Sequence, residues 1–223
     1  MSTRGPIINI QLPSGLLLRD AVAMLRAKFE QWPWDLLDGI PIVDANVISD
    51  EDVELSFSGA RARTSIPRNA YMAALRKKQV DISGLLRSIP VDAILEDADL
   101  QLLRAPIVGL YDCLLALKGV QIANATKVTY RHRPALLPII DSAVENYYWY
   151  ATSIRDEDRW RQMRQVFGTG EYAFVLLSLL RGDLREVISE IDRVRHAVRD
   201  MAFAGISRVR VLEALIWYYY FGR

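Results

Sequence analysis

The sequence predicts an all-α fold, and two observations lead to this prediction. Apolar residues recur at helical spacing along most of the chain, beginning with "LLLRDAVAMLRAKFEQ" (Leu16 to Gln31). Few stretches alternate between apolar and polar residues, as half-buried strands do. Of the 223 residues, 51% are apolar and 25% are charged, a balance typical of globular proteins and not of disordered chains.

The N-terminal part begins with residues 6–12, "PIINIQL", which predict a short strand or an extended arm. The first helix follows over residues 16–31, and Ser14 is available as its cap. The prolines and glycine of "WPWDLLDGIPIVDAN" end that helix. Ser49 then begins a helix in "SDEDVELSF", whose acidic first turn suits the positive end of the helix dipole.

The central part starts with the loop "SGARARTSIPR", where Arg61 and Arg63 are either phosphate ligands or ordinary exposed side chains. "NAYMAALRKK" and "DISGLLRSI" predict two short helices, the second stopped by Pro90. "VDAILEDADLQLL" and "PIVGLYDCLLAL" predict two more, with Pro106 at a first helical position. Further helices after Asp141 bring the expected total to about ten.

Composition excludes several classes of function. The formal net charge is +1, so a contact with phosphate needs a local basic patch. Cys113 is the only cysteine, which excludes an intrachain disulfide and a four-cysteine metal site. No cluster of residues at metal-ligand spacing occurs, so we expect no metal site. The N-terminus does not read as a secretory signal, and no apolar run approaches the ~20 residues of a membrane helix. We therefore expect a cytoplasmic protein without membrane contact.

A helical hairpin is predicted in "LYDCLLALKGVQIANATKVTYRHRP". An apolar helix ends at Leu117, "KGVQ" forms a tight turn around Gly119, and a second helix runs from about Ile122 to Arg131. Backbone N–H groups exposed in such a turn, together with a helix N-terminus, attract phosphate. Contacts of this kind position DNA without reading its sequence.

The hairpin and the residues after it resemble the helix-hairpin-helix DNA glycosylase superfamily, which includes endonuclease III. That family carries a Leu-Pro-Gly-Val-Gly hairpin and an aspartate at the head of the following helix; this chain has "LKGVQIANATK" and then "PIIDSAV". The hairpin glycine matches Gly119, and the catalytic aspartate matches Asp141. The resemblance covers about residues 106–148 and suggests an uncharacterised bacterial branch of the superfamily.

The resemblance implies two helical lobes with a crevice between them. Residues 1–89 and 149–223 would form one lobe, and residues 90–148 the hairpin lobe. DNA is the implied partner. Its backbone would contact Lys118, Gly119, Val120, Gln121, Lys127, Arg131 and Arg133. A monovalent cation held by hairpin carbonyls is the one cofactor that the resemblance suggests.

The implied activity is monofunctional. Ala123 occupies the position of the lysine with which bifunctional members form a Schiff base, and Gln121 replaces the second hairpin glycine. Asp141 would stabilise positive charge on the sugar and orient the attacking water while the N-glycosidic bond breaks. The flipped base needs aromatic or apolar walls. The candidates are Trp32, Trp34, Tyr147 and Trp149.

Simpler interpretations stand beside these. Asp141 could merely begin a helix, although Ser142 and Glu145 are predicted to form a capping box of their own. The cluster of Lys127, Arg131, His132 and Arg133 suits a phosphate backbone and equally suits a solvated helix end. The alternative to a glycosylase is a non-catalytic helical module that binds DNA or a protein.

Overall fold

The computed structural model describes residues 6–32, 40–57, 67–201 and 205–222. Helices dominate these ranges, which confirms the all-α prediction. The predicted positions Trp34, Arg61 and Arg63 lie outside the described residues. The helices are α1 (Ala21–Gln31), α2 (Asp50–Phe57), α3 (Arg68–Arg87), α4 (Leu100–Leu115), α5 (Ile122–His132), α6 (Ser142–Arg155), α7 (Glu157–Gln165), α8 (Gly170–Glu186), α9 (Ile188–Ala197) and α10 (Arg208–Phe221).

The predicted N-terminal strand is short. Strand β1 (Ile10–Gln11) pairs antiparallel with β2 (Leu17–Leu18), and Ile10 lies opposite Leu18. Ile8, Ile10 and Leu12 are all buried, as expected when alternate side chains of an extended segment point to one face. This small hairpin brings the chain to the start of α1.

The cap of α1 differs from the prediction. Asp20, with a left-handed φ of 52°, accepts a hydrogen bond from the Ala23 N–H at 3.3 Å. Ser14 instead donates its hydroxyl proton to Asp183 Oδ2 at 2.8 Å. Ser14 is therefore a long-range link between the N-terminal hairpin and α8, and Asp20 is the cap.

The predicted start of α2 is confirmed. The Asp52 N–H donates to Ser49 Oγ at 3.2 Å, and the Ser49 N–H donates to Asp52 Oδ2 at 2.8 Å. This reciprocal pair is a capping box with aspartate in place of glutamate.

Two helix boundaries differ from the sequence prediction. The two short helices predicted over residues 69–89 are one helix, α3, because its buried residues lie on one continuous face. That face comprises Tyr71, Leu75, Ile82 and Leu86. Helix α4 is capped by Asp99 and contains Pro106 in its interior, not at its first position. Because Pro106 has no backbone N–H, the carbonyl of Leu102 does not receive the usual helical hydrogen bond. Leu102 is exposed to solvent.

In the described part of the chain, one main core cluster extends from Ile8 to Ile216, and Tyr130 and Ile139 form a small second cluster. Helix α4 packs along α8, α3 and α5, while α10 packs against α1, α6 and α9. Gly170 permits the close approach of α8 to α4, because a Cβ there would lie 2.1 Å from the Val108 carbonyl oxygen. The proposed division into two lobes stays a prediction.

Candidate active site

Helices α4 and α5 form the predicted hairpin. The Gly119 φ is 80°, a conformation that favours glycine, and the Val120 N–H closes the turn on the Leu117 carbonyl at 3.0 Å. Lys118 and Gln121 are exposed, and Gly119 and Val120 are partly exposed. The four turn residues predicted to contact DNA therefore lie at the surface.

The N-terminus of α5 carries backbone donors that bond to no residue described by the structure. Gln121 makes no side-chain capping bond. Within the described ranges, the N–H groups of Ile122 and Ala123 donate no hydrogen bond, whereas those of Asn124 and Ala125 bond to the Gln121 carbonyl. The partial positive charge at this end of the helix favours an anion. Lys127 follows one turn later and is partly exposed.

Arg131 does not lie where a phosphate could reach it, which corrects the sequence prediction. Its side chain is 2% exposed, and its Nε donates to Asp52 Oδ1 at 2.8 Å. His132 Nε2 lies 3.5 Å from Asp52 Oδ2. Burial alone would raise the pKa of Asp52, but hydrogen bonds from His132, Ser49 and Arg131 outweigh it and lower that pKa well below its usual value. The ion pair ties α2 to α5.

Arg133 is also buried, at 0% exposure, so the predicted phosphate contact is corrected here too. Its guanidinium donates to the carbonyls of Ile89, Leu86 and Ala45 and to the Asn46 side chain. Arginine suits this role because its planar group presents five donors in a fixed arrangement. The two arginines of "RHR" are structural, and of the cluster's cations only Lys127 keeps contact with solvent.

Asp141 caps α6, which corrects the predicted capping box. Its Oδ1 accepts hydrogen bonds from the N–H groups of Ala143 at 2.9 Å and Val144 at 3.2 Å. Ser142 is the first helical residue, and Glu145 accepts a bond from the Tyr172 hydroxyl instead. The capping role is the simpler of the two interpretations of Asp141.

The second carboxylate oxygen of Asp141 differs from the first. Among the residues that the structure describes, none donates a hydrogen bond to its Oδ2. The side chain is half-buried. Burial raises the pKa of this carboxyl, and the two backbone bonds and the positive charges of Lys127 and Lys28 partly oppose the rise. Oδ1 thus caps α6, whereas Oδ2 accepts no hydrogen bond from a described residue.

The surroundings of Asp141 contain three buried charged side chains. Lys28 of α1 and Arg210 and Glu213 of α10 are each at most 2% exposed. We call these three residues and Asp141 the buried charge cluster. Arg210 donates a short hydrogen bond to Glu213 Oε2. Lys28 and Glu213 both interact electrostatically with Asp141. Charges buried this deeply are costly unless they are paired.

The pKa of Glu213 rises to about 7. Burial is the main cause. The positive charge of Arg210 opposes it, and the negative charge of Asp141 adds to it. Burial thus raises the pKa of both carboxyls, and the negative charge of Asp141 further opposes ionisation of Glu213.

Aromatic rings border the cluster. Lys28 Nζ lies 3.5 Å from the centroid of the Trp217 ring, and Trp32 packs edge-on against Trp217 at 4.8 Å. Both indoles are partly exposed. Trp32 therefore contacts Trp217 and Lys28, its role as a pocket wall stays a prediction, and Trp217 is an aromatic neighbour that sequence reasoning missed.

The structure gives the other two predicted wall residues different contacts. The Tyr147 ring is 3% exposed and its hydroxyl donates to Asp183 Oδ2 at 3.2 Å. Trp149 packs against the rings of Trp160, Phe167 and Tyr172. Neither residue contacts the cluster through these interactions, so we leave both out of the candidate site.

Sequence reasoning missed Lys28, Arg210 and Glu213, although one signal for the last two is present. In "RVLEALIW" (Arg210 to Trp217) the two charged residues, Arg210 and Glu213, lie one turn apart in a stretch of helix that is otherwise apolar. Every residue from Val209 to Ile216 is buried. A charged pair in such a helix indicates a buried polar site.

The described residues offer neither a metal site nor a membrane span. They contain no group of three or more His, Cys, Asp or Glu side chains that could hold a metal ion. None of their helices is long and apolar enough to cross a membrane.

Comparison with known proteins gives one match. The chain matches no curated protein and no solved structure. A family of unknown function matches over most of the chain's length, and this match includes α2 to α9 and all four residues of the buried charge cluster. The chain therefore belongs to the family of unknown function DUF6308, which it matches over residues 27–220.

Proposed function

We propose that the chain binds DNA through the α4–α5 hairpin and hydrolyses an N-glycosidic bond with Asp141, as a monofunctional DNA glycosylase. The observation that carries the proposal is Asp141 Oδ2, which accepts no hydrogen bond from a described residue although Asp141 belongs to the buried charge cluster. The same carboxyl follows a glycine-turned helical hairpin with unused backbone donors, and those donors suit a DNA phosphate.

The chemistry requires little more than a placed carboxylate. As the bond to the base breaks, positive charge develops at C1′ of the sugar, and the Asp141 carboxylate stabilises it. Water then attacks C1′ from the open side. The base leaves the DNA stack beforehand and lies against aromatic rings, for which Trp32 and Trp217 are available. Ala123 supplies no amine, so the proposal contains no Schiff base at that position.

The proposed DNA contact is small. It consists of the turn residues Lys118 to Gln121, the first N–H groups of α5 and Lys127. The burial of Arg131 and Arg133 removes two cations from it. Each neutralised phosphate contributes about −0.9 to the slope of log affinity against log salt concentration. With Lys118 and Lys127 as the cations of this contact, we expect a slope of about −2 and micromolar or weaker binding to undamaged DNA.

The test is release of damaged or mispaired bases from duplex DNA, detected as alkali-labile abasic sites. Asp141→Asn separates the capping role from the charge, because asparagine caps helices as well as aspartate does but carries no negative charge. We expect it to lower the rate about 100-fold or more. Asp99→Asn, at the equivalent cap of α4, serves as the matched substitution and keeps the wild-type rate. No release by wild type, or equal release by Asp141→Asn, contradicts the proposal.

A second candidate function is a non-catalytic helical module that binds DNA or a protein. The capping bonds of Asp141 favour it, because they give the carboxylate a structural purpose. This candidate predicts a salt-dependent gel shift that persists in Asp141→Asn, together with no base release by either protein.

A further inference from the structure

A cleft of about 690 Å³ lies between the N-terminal extended segment and α9. Pro6, Ile7 and Ile8 line one side, and residues of α9 together with Arg199 line the other. The volume is within the range of about 300–1,000 Å³ that is typical of clefts for small molecules. None of the four residues of the buried charge cluster lines this cleft, so it is a separate feature of the molecule.

Apolar atoms supply most of the lining of the cleft. Ile7 is 73% exposed, because its neighbour Ile8 points into the core and side chains alternate along an extended segment. Pro6 on the same segment and Ala197 of α9 add to this apolar surface. A hydrocarbon chain that covers it removes apolar surface from water, which favours binding.

Helix α9 presents cations at the cleft because its apolar residues face the core. Ile191 and Val194 are buried, whereas Arg193 and His196 are exposed and line the cleft. Arg193 and His196 lie three residues apart and therefore share one face of the helix. Arg199, also exposed, follows just beyond the end of α9.

The carboxylate at the cleft does not neutralise these cations. Asp192 accepts hydrogen bonds from Arg208 Nε at 2.7 Å and from Arg208 Nη2 at 2.8 Å, and it also pairs with Arg195 at 3.5 Å. Among the residues that the structure describes, Arg193 and Arg199 form no ion pair and no side-chain hydrogen bond. An anion that enters the cleft would therefore meet two guanidinium groups without a carboxylate partner in the described chain.

We propose that this cleft binds a small amphipathic carboxylate. Its hydrocarbon chain lies against Ile7 and Ala197, and its carboxylate accepts hydrogen bonds from Arg193 and Arg199. Guanidinium groups suit this head group because their N–H donors match the two oxygens of a carboxylate. The proposal is independent of the proposed DNA chemistry, since it uses neither the hairpin nor Asp141.

The experiment titrates the ¹⁵N-labelled full chain with octanoate, octanol and octylammonium, which share a chain length and differ in the charge of the head group. Amide chemical shifts in NMR spectra give the affinity and the location together. We expect octanoate to bind with a Kd of about 1 mM and to shift the amides of Ile7, Ile8 and Ala197. Octanol should bind about tenfold more weakly, and octylammonium should not bind. Longer carboxylates should bind about fourfold more tightly for each added CH₂ group.

Two variants separate the head-group contact from the apolar contact. The double variant Arg193→Gln, Arg199→Gln should bind octanoate about tenfold more weakly and octanol as wild type does. Ala197→Trp fills the cleft and should weaken both ligands. Arg87→Gln, at an exposed position of α3, is the control and leaves both affinities unchanged. Thermal unfolding establishes that the variants fold.

Three results would overturn the proposal: equal affinity of wild type for octanoate and octanol, octanoate shifts centred outside the cleft, or unchanged octanoate binding by the double variant. A fourth concerns membranes. Sedimentation with phosphatidylglycerol vesicles that depends on Arg193 and Arg199, without binding of octanoate, would identify a lipid surface as the occupant and would also overturn it.

Discussion

At the scale of single residues, neighbours in one sequence motif have unrelated roles. The sequence contains one basic cluster, which comprises Lys127, Arg131 and Arg133. However, Arg131 pairs with Asp52, and Arg133 donates hydrogen bonds to the backbone carbonyls of residues 45, 86 and 89. Charge and spacing alone do not reveal this, because the partners lie 44 to 88 residues away. Burial decides the role, and burial is a property of the fold.

Arg133 therefore yields a prediction about stability. Lysine at this position keeps the charge but lacks the planar guanidinium with its five N–H donors. The substitution therefore leaves buried carbonyls without hydrogen-bond partners. We expect Arg133→Lys to lower the free energy of unfolding by about 3 kcal/mol. Arg87→Lys, at an exposed position of α3, should alter it by less than about 0.5 kcal/mol. Urea titration measures both, and equal values for the two variants would refute the assigned role.

At the scale of elements, helical periodicity predicted the helices well and their ends less well. Asp81, Ser83 and Gly84 resemble a helix boundary, but α3 continues through them because its buried face spans the whole length. A Cβ at position 84 would meet nothing within 4 Å, so no close contact requires a glycine there. Tertiary packing thus overrides local preference. The α4–α5 hairpin and the place of Asp141 at the head of α6 were predictable because they depend on local sequence.

The hairpin turn supports a prediction of its own. At the Gly119 φ of 80°, an alanine is strained, so Gly119→Ala should cost about 1 kcal/mol of stability and weaken DNA binding by distorting the turn. Gly84→Ala, inside α3, should instead stabilise the protein by up to about 1 kcal/mol. Thermal unfolding and a gel shift on both variants test this. Unchanged DNA binding by a folded Gly119→Ala would separate the turn from DNA recognition.

At the scale of the whole molecule, the buried charge cluster joins distant parts of the chain. Lys28 and Glu213 meet because α1 packs on α10, and nothing in either local sequence indicates this meeting. The interior of the protein therefore holds titratable groups whose protonation is linked to folding.

This linkage predicts how stability varies with pH. The folded-state pKa of Glu213 is about 7, against 4.5 for a free glutamate. Between these values the folded protein binds more protons than the unfolded chain. The contribution of Glu213 to the free energy of unfolding is therefore full below about pH 4.5 and is lost as the pH rises to 7. The free energy of unfolding should fall by a few kcal/mol over this window in wild type and fall less in Glu213→Gln. Parallel pH profiles of the two proteins would show that Glu213 ionises normally.

We propose above all that Asp141 stabilises a positive charge at the C1′ position of bound DNA. The most direct measurement compares binding to duplexes that carry either a cationic pyrrolidine or a neutral tetrahydrofuran in place of the sugar. Wild type should bind the cationic duplex about 100-fold more tightly, and Asp141→Asn should bind the two equally. Equal affinity of wild type for both duplexes would contradict the claim.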